Sequence, residues 1–102
     1  MDEIQYTGLD QIEAKEKAIL DTLSTEYFGK LKRGVHNELK LNVHIKKSKS
    51  PNGRALWSIH IHANAPTQAM ISDKAEDWDF ARTLHKAFND LETQIEKKWS
   101  RK

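Results

Sequence analysis

The chain has 102 residues, of which 37% are hydrophobic and 31% charged, and it contains no cysteine. That length suits one domain with a single modest core. Without cysteine there are no disulfides and no thiolate sites, no apolar run is long enough to cross a bilayer as a helix, and no charged-then-apolar leader is read at the start, so the cytosol is the expected home. The first element in chain order is "EIQYTG", a short strand with Ile4 and Tyr6 on one face and Gly8 closing it. Asp10 and Glu13 then read as a capping box. Behind them Ile12, Ile19, Leu23, Tyr27 and Leu31 recur at sevens and fours, widened by Leu20 and Phe28, which predicts an amphipathic helix. It should stop near Gly34, with Gly29 weakening it one turn earlier and Lys30, Lys32 and Arg33 in its last turns, where the dipole favours cations.

In "ELKLNVHIKK", Leu39, Leu41, Val43 and Ile45 alternate with Lys40, Asn42, His44 and Lys46, the pattern of a half-buried strand. "SPNG" is a turn, with Asn52-Gly53 suited to positive φ. The returning strand "ALWSIHIHA" turns Trp57, Ile59, Ile61 and Ala63 inward and Ser58, His60 and His62 outward. "TQAMIS" is a weaker third member of the meander. The final helix is expected to begin near Asp77, with Ala81, Leu84, Phe88, Leu91 and Ile95 as its stripe.

The order is therefore β-α-β-β-β-α, an α+β fold. The first two strands should be parallel neighbours joined by a right-handed crossover, and both helices should cover one face of a four-stranded sheet. The open face then carries Lys40, Asn42, His44, Lys46, Ser58, His60 and His62.

Charge is segregated along this order. Residues 1–28 hold two bases and seven acids, residues 29–54 eight bases and one acid, residues 55–85 two and four, and residues 86–102 five and three. The stretch "KLNVHIKKSKSPNGR" has five cations and no carboxylate. Such a block sets up a local positive field that concentrates a polyanion even on a nearly neutral chain. A solvated edge strand, on which lysines discourage aggregation, produces the same composition.

The sequence resembles the ribosome hibernation-promoting factor family, also called the ribosomal subunit interface or protein Y family, in its short form. The resemblance lies in "AEDWDFARTLHKAFNDLETQIEKKW", where Asp79 opens an apolar helix that reaches Leu91, Gln94, Ile95 and Lys97. These residues are similar to the family's Leu-x-x-Gln-hydrophobic-x-Lys run. "QYTG", the long helix and "LKLNVHIKK" are similar to the family's first strand, first helix and second strand. The chain departs from the pattern at Ala81, where an aromatic is usual, and at His85 and Asp90. The resemblance implies that residues 1–102 form a single ribosome-associated domain, monomeric when free. That domain sits on the small ribosomal subunit and its rRNA, in the channel used by tRNA and mRNA, and blocks translation under stress or starvation. With the basic block, it points to Lys30, Lys32, Arg33, Lys46, Lys47, Lys86, Lys97 and Lys98 as the RNA-binding residues. Arg54, Lys49, Arg101 and Lys102 extend the same clusters.

Two other function classes compete. A double-stranded RNA-binding domain has a related arrangement, but it needs bases at the start of its last helix, where this chain has Glu76, Asp77 and Asp79; a fold relative acting only through protein contacts is the other. Catalysis has no visible constellation, since there is no phosphate-binding glycine loop, nucleophile elbow or HExxH. His60 and Asp73 are not tied by any spacing. No small-molecule substrate, membrane partner, cofactor or metal is expected, because His44, His60 and His62 lack an obvious fourth ligand. Trp57 and Trp78 are expected at the core or its rim, and Trp99 against the first strand.

Overall fold

The computed structural model describes residues 3–35, 38–49, 53–66 and 68–99. The turn residues Pro51 and Asn52, the tail Arg101 and Lys102, and the side chains of Lys98 and Trp99 lie outside the described residues.

Seven elements follow one another: β1 (Glu3–Thr7), a 3-10 turn (Leu9–Gln11), α1 (Ala14–Val35), β2 (Lys40–Lys49), β3 (Ala55–Ala65), β4 (Gln68–Asp77) and α2 (Phe80–Trp99). The sheet order is β1-β2-β3-β4. β1 pairs parallel with β2, Glu3 opposite Lys40 and Thr7 opposite His44. β2–β3 and β3–β4 are antiparallel. The expected β-α-β-β-β-α order and both-helices-on-one-face arrangement hold. Leu39, Leu41, Val43, Ile45, Trp57, Ile59, Ile61, Ala63 and Met70 are buried on the sheet's inner face, beneath Leu20, Tyr27, Leu31, Leu84, Phe88, Leu91 and Ile95 of the helices.

The two helices run parallel. Tyr27 stacks on Phe88 with centroids 4.7 Å apart, and Gly34 comes so close to Ile95 that a Cβ added there would lie 2.8 Å from Cγ2. Both N-termini therefore lie at the end of the molecule that carries the β2–β3 hairpin. Both C-termini lie at the other end, where β2 begins. The body is elongated, 48 × 24 × 17 Å.

Four local expectations need correction. The first helix is not capped by Asp10 and Glu13. A 3-10 turn intervenes, and Glu13 takes the capping position, with its backbone N–H donating to Glu16 Oε1 at 2.9 Å. α1 ends where expected, near Gly34, running through Gly29 to Val35. Its buried line is Leu20, Ser24, Tyr27, Leu31 and Val35, while Ile19 and Leu23 are only partly covered. The serine hides that register, since a polar residue breaks an apolar count. β4 runs past the predicted "TQAMIS" to Asp77, and a bulge that sets Asp73 and Lys74 opposite His60 lets the strand absorb a polar stretch. α2 consequently starts at Phe80 rather than Asp77. Asp79 is its cap, with Oδ2 accepting the Arg82 N–H at 2.9 Å.

Gly8 is the tight joint of the hairpin end. Its φ of 93° lies in the left-handed region, and a Cβ there would run into the Ile45 carbonyl oxygen. Beside it, Gln11 clamps β2. Its Oε1 accepts the Lys47 N–H at 2.9 Å and its Nε2 donates to the Ile45 carbonyl at 3.4 Å.

Candidate nucleic-acid interface

The parallel helices divide the predicted cations into two groups. Lys46 and Lys47 lie at the hairpin end, beside the start of α1. Lys30, Lys32 and Arg33 lie near the far end of α1, roughly 24–29 Å further along at 1.5 Å per residue. Lys97 and the backbone of Lys98 fall in the neighbouring last turn of α2. The chain passes directly from one group to the other, but β2 carries it back along the full length of the sheet. The cations thus form two poles rather than one patch.

Each pole holds its charges differently. At the helix end, Lys30 lies over the Tyr27 ring at 5.1 Å and Arg33 is exposed. Both stand beside helix C-termini whose free carbonyls favour cations. At the hairpin end, alternation turns Lys46 to the open face and Lys47 to the helix side. There Lys47 Nζ lies 5.3 Å from the centre of the buried Trp57 ring. Arg54 lies 4.8 Å over the ring of Trp78.

Lys86 is held by a carboxylate and a carbonyl. Its ammonium is 2.8 Å from Asp77 Oδ2 and donates to the Glu76 carbonyl at 3.2 Å. Asp77 Oδ1 also accepts the N–H groups of Trp78 and Asp79, at 2.7 and 3.2 Å, and lies 3.5 Å from Arg82. The Lys86 bond, and after it the two backbone N–H groups, hold the Asp77 carboxyl below its ordinary range against the opposing effect of burial. Lys86 is therefore already neutralised where it stands.

Sequence reasoning missed Trp78. It is 44% exposed, not part of the core, because β4 ends at Asp77 and the two-residue bend Trp78–Asp79 carries the indole outward. The signal available was its position between two carboxylates, which suits a turn better than a strand.

Two departures from the family pattern meet between the helices. His85 Nδ1 is 2.7 Å from the Tyr27 hydroxyl, which also reaches Asn89 Oδ1 at 3.4 Å. Burial first, then the charges of Glu92 and Glu26, push the Tyr27 hydroxyl above its ordinary value, so it remains a neutral hydrogen-bonding group. Ala81 lines an open groove with Ile19 and Leu23. Asp90 is exposed on α2.

On the open face of the sheet, Thr7, Asn42, His44, His60, His62 and Asn64 line a polar cavity of about 300 Å³. The rings of His44 and His60 are 6.4 Å apart. Among the described residues no group of three His, Cys, Asp or Glu side chains is placed to hold a metal ion. No described helix is long and apolar enough to cross a membrane.

No protein-family model matches the chain, and no curated protein matches it. A solved structure does: the crystal structure of the Thermus thermophilus Protein Y N-terminal domain, with a TM-score of 0.60 over 96% of this chain and 99% of that one, at 19% identity. The fold resembles that of the Protein Y domain. At this identity the likeness concerns the fold, and Gln94 shows how a residue of the family-like run serves it: its Nε2 donates to the Ile71 carbonyl of β4 at 2.8 Å, tying α2 to the sheet edge.

Proposed function

We propose that the protein is a ribosome-binding factor that occupies the tRNA and mRNA channel of the small subunit and holds translation off under stress. The observation that carries this reading is the pair of cationic poles at opposite ends of a 48 Å body with a Protein Y-like fold. A domain charged in this way bridges phosphates on two sides of a channel, and rRNA recognition through shape and phosphates requires no base code. The proposed contacts are Lys30, Lys32, Arg33, Lys97 and Lys98 at one pole and Lys46 and Lys47 at the other. Lys86, held by Asp77, contributes least.

The mechanism is occlusion without chemistry, by a single cytosolic domain that is a monomer when free. Generic duplex binding is disfavoured by the carboxylates of Asp77 and Asp79 at the start of α2, where phosphate would have to approach. The test is co-sedimentation with small subunits, whole ribosomes and free duplex RNA, joined to an in vitro translation titration. Ribosome-selective binding with stoichiometric, reversible inhibition is expected. Equal binding to any duplex would replace this reading with the duplex one. Inhibition far below the ribosome concentration, persisting after the protein is removed, would reopen catalysis.

A further inference from the structure

We infer that Trp78 and the hairpin cations form a stacking site for one unpaired RNA base. The inference rests on the RNA-binding reading above and adds a place and a mode of contact to it. What distinguishes Trp78 is not its 44% exposure alone but its company: Arg54 lies over its ring, and a cavity opens beside it.

The bend is rigid. Asp77 accepts both of its backbone N–H groups and is itself held by Lys86 and Arg82, and Asp79 is engaged in capping α2. The backbone that carries Trp78 is therefore held before any ligand arrives, which lowers the ordering cost of contact.

Its surroundings suit a nucleotide. A cavity of about 290 Å³ opens beside the indole, floored by Trp57 and Phe80 and edged by Lys15. From the β2–β3 side, Lys47 lies over the ring of Trp57 and Arg54 over one face of Trp78, two of the rings that line the cavity. The carboxylates nearby are engaged: Glu16 Oε1 accepts the Glu13 N–H, Asp79 Oδ2 the Arg82 N–H, and Asp77 binds two cations. Accepting an N–H leaves Glu16 and Asp79 charged, so a stacked base would direct its phosphates away from the start of α2 and toward the hairpin that carries Lys47 and Arg54. An aromatic platform with flanking cations and an Arg stack is the combination that binds single strands irrespective of base sequence.

The test uses the full chain with Trp99→Phe, in which Trp57 and Trp78 emit, and the same chain with Trp78→Phe supplies the share that belongs to Trp57. It is titrated with three probes: oligo(U) of eight nucleotides, an abasic ribose-phosphate octamer, and a duplex of the same length. Oligo(U) is expected to quench the emission and bind more tightly than the other two. Trp78→Ala should weaken oligo(U) binding roughly 5- to 150-fold, the range for removing one stacked base, and leave abasic binding unchanged. Trp78→Phe should keep most of the affinity, and it stands in if the alanine variant fails to fold. Equal affinity for oligo(U) and the abasic octamer, or unaltered oligo(U) affinity in Trp78→Ala, overturns the inference. Either result with ribosome co-sedimentation intact leaves the proposed function standing, whereas a wild-type chain that binds neither ribosomes nor oligo(U) removes both.

Discussion

The two poles carry the same sign of charge on opposite kinds of support. At the helix end, cations stand beside two helix C-termini, where the backbone itself favours them. At the hairpin end they stand on β2–β3, where no dipole calls for them, and they are steadied by indole rings instead. A cation that satisfies a helix terminus has a structural reason to be there. A cation on a hairpin with no carboxylate between Lys40 and Arg54 lacks that reason, so the hairpin pole is the better marker of a polyanion partner.

The largest expected effect breaks the comparison at its joints. Gly8→Ala at the hairpin end forces a Cβ into the Ile45 carbonyl at positive φ and should cost about 3 kcal/mol or more, read as a fall in the denaturant midpoint. Gly34→Ala at the helix end meets only the Ile95 methyl and has ordinary helical φ. Overpacking there should cost about 1–3 kcal/mol, partly offset by the roughly 1 kcal/mol better helix propensity of alanine. Equal losses at the two sites would mean that the hairpin end is no more tightly jointed than the helix end.

Next come the charges. Lys46→Ala with Lys47→Ala, and separately Lys30→Ala with Arg33→Ala, should each flatten the slope of log K against log salt for ribosome binding by about one to two units. If both poles touch RNA in one complex, the quadruple variant shows both reductions together. A slope altered by one pair alone assigns all contact to that pole.

A smaller effect concerns Asp77. Its carboxyl titrates below the ordinary range in the folded chain, so the stability it confers is present above the unfolded value near 3.8 and lost as pH falls through the lower folded one. Asp77→Asn should lower the melting temperature at neutral pH and remove that part of the acid sensitivity. It should also tighten RNA binding slightly, by releasing Lys86. Unchanged melting curves from pH 3 to 7 in both proteins would show that the bend does not depend on this carboxylate.

The smallest effect sharpens the comparison by leaving both poles alone. Ser24 is fully buried in α1, and its hydroxyl lacks a hydrogen-bond partner among the described residues. Ser24→Ala should therefore stabilise the fold by about 1 kcal/mol, raising the melting temperature by roughly 4–8 °C without altering binding.

The alternation in β2 and β3 is legible because a sheet with one covered face imposes period two on its side chains, and Leu39 to Ile45 obey it without exception. The parallel first pair follows from the helix between β1 and β2. The division into two poles is not legible. The cations around Arg33 and those around Lys46 are close in the chain, and only the direction of β2, at about 3.3 Å per residue, separates them; composition carries no direction. Trp78 escapes a sequence reading because "SDKAED" looks like a loop, and a tryptophan after a loop is easily placed on a core stripe. The bulge that keeps this polar stretch in β4 depends on pairing with β3, which is a tertiary fact.

That bulge and the Gln94 bond have a further consequence, for self-association. β4 is an edge strand of ten residues, long enough to template pairing with a second chain. Gln94 occupies one of its outward carbonyls, the bulge disrupts its straight run at Asp73–Lys74, and the opposite edge, β1, is only five residues long. A second copy that meets this edge finds its hydrogen-bonding run interrupted, which works against edge-to-edge growth into fibrils.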